Sequence, residues 1–135
     1  MASVAAPFEQ LDFIYTPSSD VKAESDHMVE ALGAELAWRI EAFGARVALL
    51  RLAPTAPAIV LADHLEGERP ILVYRVPDLE RARADLERRG FEPGPAFGIP
   101  HGPCCDFRTE GGHRFGLYEL TRPEVGERFE GRRDF

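Results

Sequence analysis

The stretch DVKAESDHMVEALG (residues 20–33) and its counterpart DLERARADLERRG (residues 78–90) decide how this chain is read. Each opens on an Asp at a helix N-cap position, where a carboxylate accepts hydrogen bonds from amides that the helix leaves unpaired. Each closes on a Gly, the residue that most easily takes the left-handed conformation wanted after a helix C-terminus. The Asp residues stand at 20 and 78 and the Gly residues at 33 and 90, spacings of 58 and 57. Such punctuation, repeated at one period, implies an internal duplication. Val21, Met28, Val29 and Leu32 give the first helix an apolar stripe, and Leu79, Ala82 and Leu86 do the same for the second.

The flanks match as well. Leu11-Asp12-Phe13-Ile14-Tyr15 precedes the first helix and Ile71-Leu72-Val73-Tyr74-Arg75-Val76 the second, both rich in strand formers. Strand-like segments then follow at Ala34–Trp38, Arg46–Leu52 and Ala58–Ala62 in the first half. The second half offers Phe91-Glu92-Pro93, Cys104–Arg108 and Arg114–Leu120. Each half therefore reads strand, helix, strand, strand, strand. One helix covers one face of four strands, and two such halves side by side enclose a cup lined by alternate residues. The expected organisation is an N-terminal tail over 1–7, a first module over 8–66, a second over 67–123, and a charged, loosely ordered tail over 124–135.

Composition narrows the partners. Among 135 residues, 23 acids outnumber 16 bases for a net charge of -7, which argues against a nucleic-acid partner. No apolar run approaches the roughly 20 residues a bilayer requires. Residues 1–6 carry no basic residue of the kind that opens a signal peptide, so a cytoplasmic protein is expected, with no membrane partner. The two cysteines, Cys104 and Cys105, are neighbours; a bridge between them would strain the intervening peptide, so both read as thiols.

Paired strand-helix-three-strand modules resemble the vicinal oxygen chelate superfamily, which includes glyoxalase I, bleomycin-resistance proteins and extradiol dioxygenases. Pro100-His101-Gly102-Pro103-Cys104, Phe107, Gly112-His113-Arg114-Phe115 and Leu117-Tyr118-Glu119 are similar to the family's closing hairpin. Asp78-Leu79 and Gly90-Phe91 resemble its second-module helix boundaries. The resemblance implies an α+β fold, with paired βαβββ modules forming a cup-shaped mixed sheet and helices on the outer face. It also implies homodimers, since open sheet edges invite pairing and family members often pair. The superfamily hosts lyases, isomerases, oxygenases and plain binding proteins, so the fold leaves the function open.

Enzymes of this family hold a divalent metal in the cup through His, Glu, Gln or Asp. Carried over by pattern, the ligand positions fall on Phe13, Val60, Ile71 and Gly116, none of which can donate to a metal. Strand parity turns Asp12, beside Phe13, and Glu119, three places after Gly116, to the opposite face; only a bulge would reverse this. The expectation is a cup with no metal and no cofactor.

Parity then fills the cup with Phe13, Tyr15, Val60, Ala62, Ile71, Val73, Arg75, Gly116 and Tyr118, an apolar and aromatic basin with one cation and two phenols. It suits a small, planar or amphipathic organic molecule, with Arg75 gripping a carboxylate or phosphate. The competing reading is a collapsed cup in which these side chains are core and Arg75 reaches solvent. His101, at the rim, is the candidate for ligand contact or acid/base work, set against a loop histidine that shapes its turn. His27 reads as surface, His64 as inter-module linker and His113 as hairpin turn. Trp38 reads equally as core, dimer interface or stacking platform, and the adjacent thiols must point to opposite faces. Two functions stay open. One is a metal-free binding protein for a small organic molecule. The other is a glyoxalase-like lyase, isomerase or dioxygenase, with displaced ligands or using His101 and Arg75.

Overall fold

The computed structural model describes residues 6–42 and 44–135; of the N-terminal tail expected over 1–7, residues 1–5 lie outside the described residues. Its elements run β1 (Gln10–Pro17), α1 (Val21–Leu32), β2 (Glu35–Ala42), β3 (Ala45–Arg51), β4 (Ala58–Ala62), β5 (Ile71–Val76), α2 (Leu79–Arg88), β6 (Phe97–Ile99), β7 (Gly102–Arg108), β8 (Arg114–Glu119) and α3 (Glu124–Phe129). Both helices begin as the sequence dictates. Asp20 accepts from the Ala23 amide at 3.0 Å and Asp78 from the Arg81 amide at 3.1 Å. Both end at a glycine with positive φ, +71° at Gly33 and +93° at Gly90, a conformation costly for any residue with a Cβ.

The strands form one eight-stranded sheet in the order β2-β3-β4-β1-β5-β8-β7-β6. Within each half the first strand runs parallel to the fourth, β1 to β4 and β5 to β8. The halves meet where β1 pairs antiparallel with β5. The sheet curls so that α1 and α2 cover its outer face and the inner face is a cup. Outside, Val21 packs with Ala48, Leu50 and Leu61, while Leu79, Ala82 and Leu86 pack with Cys105, Phe107 and Leu117. Inside, Phe13 and Tyr15 join two further clusters, one around Trp38, Leu49 and Val60 and one around Val73, Cys104 and Tyr118.

Three expectations are corrected. The α1 stripe runs through Val21, Ser25 and the half-buried Met28; Leu32, at the helix end, is 63% exposed. Phe91-Glu92-Pro93 is not a strand: Pro93 and Pro95 lack the amides a ladder needs, and pairing resumes only at Phe97. Phe91 instead packs edge-on against Phe107, with centroids 5.3 Å apart.

The third concerns residues 124–135, which are ordered. Val125 of α3 is buried, and Phe129 packs edge-on against Trp38 with ring centroids 5.4 Å apart. Beyond it the Arg39 amide donates to Arg132 O and the Asp134 amide to Arg39 O, laying the tail along the free edge of β2. Arg133 donates to the carbonyls of Leu36 and Ala37, and Arg46 lies over the Phe135 ring at 4.7 Å. Charge alone suggested looseness, but these arginines and Asp134 find backbone partners that an open edge leaves free.

Phe129→Ala strips the cover from the sole tryptophan. The expected result is a red shift in Trp38 emission and a loss of about 1–3 kcal/mol in urea unfolding. An unshifted spectrum would mean that α3 does not cover Trp38 in solution.

Candidate functional site

The inner face is built in registered rows across the sheet. Val60, Tyr15 and Ile71 stand side by side, then Ala58, Phe13, Val73 and Gly116, then Arg75, Tyr118 and Cys104. Phe13, Tyr15, Val60, Ile71, Val73, Arg75, Gly116 and Tyr118 are therefore brought onto one surface. His101 joins them from the turn before β7, its ring 5.6 Å from that of Phe13 and 6.1 Å from that of Tyr118. Its carbonyl accepts the amides of Thr121 and Arg122, so the turn is pinned to the end of β8. Burial holds the His101 imidazole below its ordinary pKa of 6.5, with Asp12 opposing that effect, which keeps the ring neutral near pH 7.

Asp12 was expected on the outer face. It lies instead inside the cup. Leu11 pairs with Tyr74 and Phe13 with Val73, so Asp12 is the extra residue of a β-bulge and its side chain leaves the regular alternation. It is 8% exposed and accepts hydrogen bonds from Gln10 Nε2 and, through a short contact, from the Tyr118 hydroxyl. Burial and this bond to Asp12 push the Tyr118 phenol well above its ordinary range. A signal for the bulge was present: a regular strand would have pressed a carboxylate against the apolar underside of the helices, where charges are almost never found. A second bulge, between Leu36 and Trp38, divides β2 so that Leu36 meets α1 while Trp38 and Ile40 face the cup.

Arg75, read as the group that would grip an anion, stands beside two acids. Its Nε lies 3.3 Å from Glu9 and 3.6 Å from Asp12, two carboxylates of its own chain. His64, read as linker, turns over the cup and meets Tyr15, with the hydroxyl 3.4 Å from Nε2. The thiols do face opposite ways, Cys104 into the cup and Cys105 toward α2. Burial pushes them up to about 12 and about 11, so both are protonated at neutral pH and unsuited to nucleophilic attack.

The four positions at which the resemblance led us to expect metal ligands carry Phe13, Val60, Ile71 and Gly116. A Cβ placed on Gly116 would sit 3.3 Å from Ile71 and 3.4 Å from Val73, so a side chain there would press on both. Among the described residues no three His, Cys, Asp or Glu side chains converge. This donor set does not fit a divalent cation.

Beside Asp12 the cup opens into a groove of about 210 Å³, lined by Phe13, Leu49, Arg51 and Ala58 and roofed by the β3–β4 loop from Ala53 to Ala56. Arg51 donates to Glu35 and, through both terminal nitrogens, to Glu130.

Solved structures share this architecture. A methylmalonyl-CoA epimerase from Mycobacterium tuberculosis superposes with a TM-score of 0.74 at 20% identity, covering 93% of this chain and 97% of that one. A hypothetical protein from Bacillus halodurans C-125 gives 0.72 at 16% identity, with 84% and 95% covered. A Streptomyces coelicolor methylmalonyl-CoA epimerase variant in complex with 2-nitronate-propionyl-CoA gives 0.71 at 15% identity, with 84% and 96% covered. The chain has the vicinal oxygen chelate fold. No protein-family model matches its sequence, and no curated protein is similar enough to match it. At these identities the vicinal oxygen chelate likeness establishes architecture and carries no chemistry across.

Two measurements check the site. Tyr118→Phe removes the hydroxyl that satisfies Asp12, and should cost about 1–3 kcal/mol of stability. Tyr15 is pushed up from 10.0 to about 12 by burial, with Cys104 and Asp63 adding to the shift. Below about pH 8 both folded and unfolded states keep the thiol and phenol protons, so these groups leave stability unchanged. As pH rises from about 8 toward 12 the unfolded chain releases them first, and stability should fall. A flat urea midpoint across that range would contradict the burial of these groups.

Proposed function

We propose that this chain is a glyoxalase/bleomycin-resistance-like protein that binds a small organic molecule in its cup without a metal. The observation that carries the reading is the groove beside Asp12. It is walled by Phe13, Leu49 and Ala58, with Asp12 and Arg51 as its charged points. The Streptomyces coelicolor epimerase variant, solved with 2-nitronate-propionyl-CoA, supports a small-molecule occupant for this architecture. Hydrocarbon at the four family ligand positions supports a metal-free mode of binding. His101 and Tyr118 pack beside Phe13 in the cup, outside the groove's lining, and add aromatic edges and faces to the same surface.

Two further features belong to the same proposal. A homodimer is favoured by the open edge at β6, where Phe97 is 49% exposed. A cytoplasmic setting agrees with two buried free thiols, and among the described residues no helix is long and apolar enough to cross a membrane. One observation favours an enzyme instead: Asp12, Tyr118 and the neutral His101 form a buried cluster of proton-handling groups.

Purification without an affinity tag tests the metal-free binding reading. The binding reading predicts less than one tenth of an equivalent of metal by elemental analysis, no change in melting temperature with EDTA, and upward shifts with aromatic or amphipathic small molecules. Stoichiometric metal, or a fall in melting temperature with EDTA, would defeat it.

A further inference from the structure

The ion pairs at and beside the groove hold more carboxylates than guanidinium groups. Asp12 stands on its wall, and the neighbouring Arg75 is shared between Asp12 and Glu9. Arg51, the one guanidinium lining the groove, is shared between Glu35 and Glu130. Four carboxylates thus stand against two arginines. Each oxygen of Asp12 accepts one protein donor, Gln10 on Oδ1 and Tyr118 on Oδ2. A carboxylate offers about four acceptor sites, so Asp12 retains capacity toward the groove. Its burial strengthens that capacity, because a charge shielded from water acts on a nearby cation through a lower effective dielectric. Phe13 supplies an aromatic face at the same place, and such faces attract cations as well as rings.

We infer that the groove takes a small organic molecule bearing a protonated amine, its N–H groups donating to Asp12 and its apolar body lying against Phe13 under the β3–β4 loop. The inference rests on the reading of the cup as a ligand site and adds the class of ligand. At about 210 Å³ the groove is below the roughly 300–1,000 Å³ of drug-sized sites, which fits one ring with a short arm. The chain's net charge of -7 draws such a cation toward the protein.

The test uses three probes of one shape, 2-phenylethylamine, 2-phenylethanol and 3-phenylpropionate, titrated into the full-length protein and followed by amide chemical shifts in NMR. The amine should move resonances around Phe13 and Ala58, binding about tenfold more tightly than the alcohol, with the carboxylate inert. Asp12→Asn should abolish the preference for the amine and leave the alcohol unaffected. Glu9→Gln, at an exposed residue, frees Arg75 to neutralise Asp12. It should weaken amine binding several-fold even if Asp12→Asn fails to fold. An amine that binds no better than the alcohol or the carboxylate would overturn the ligand class while leaving the cup a binding site. Silence from all three probes would overturn the binding reading itself, and this inference with it.

Discussion

Strand β1 is hydrogen-bonded on both edges, parallel to β4 and antiparallel to β5, and it carries one residue more than its partner can match. That extra residue is Asp12, and much of the cup is arranged around it. A buried carboxylate is tolerable only when its oxygens are satisfied, and its removal from water is otherwise strongly unfavourable. The partners come from three strands: Gln10 from β1, Tyr118 from β8 and Arg75 from β5. One acid therefore fixes side chains contributed by both halves of the molecule. The antiparallel seam between β1 and β5 is held by backbone pairing, and Asp12 adds a polar tie across it.

The punctuation of the helices and the alternation of the strands were legible because both are local. Asp20, Asp78, Gly33 and Gly90 act within a few residues of themselves, and the structure gives each the role its chemistry predicts. The alternation of β5 and β8 could be read residue by residue because neither strand slips against its partner. β1 was harder. Leu11-Asp12-Phe13-Ile14-Tyr15 satisfies a regular strand pattern, and only its pairing with Tyr74 and Val73 reveals the slip. The same is true of β2, where the bulge after Leu36 moves Trp38 to the inner face. A bulge belongs to two strands at once, and one strand's sequence holds only half of it.

The C-terminal segment was misread for a related reason. Residues 124–135 are rich in Arg, Glu and Asp, a composition that elsewhere means a solvated tail. Here the charges meet carbonyls and amides of the β2 edge, while Phe129 and Phe135 supply the apolar contacts. The consequence reaches the cup. Phe129 lies among Trp38, Ile40, Leu49 and Val60, so the inner face of the first half is filled by the chain's own end. Glu130, next in sequence, holds Arg51 at the groove wall. The reading of the cup as packed core thus holds for one part of it, and a groove remains in another. The outer strands of the first half are packed, and the space beside β1 stays open.

That division bears on what the fold can do here. In a metal-dependent cup, charge comes from an ion clasped at the centre and the ligand is anchored by its oxygens. In this chain the centre is hydrocarbon, and the fixed charge belongs to a carboxylate held by neutral donors and one shared arginine. A low-dielectric surround magnifies whichever charge it encloses. A single inserted residue on a central strand, with its partners moved to suit, thus places a carboxylate inside the cup, where regular alternation would have turned it to the other face.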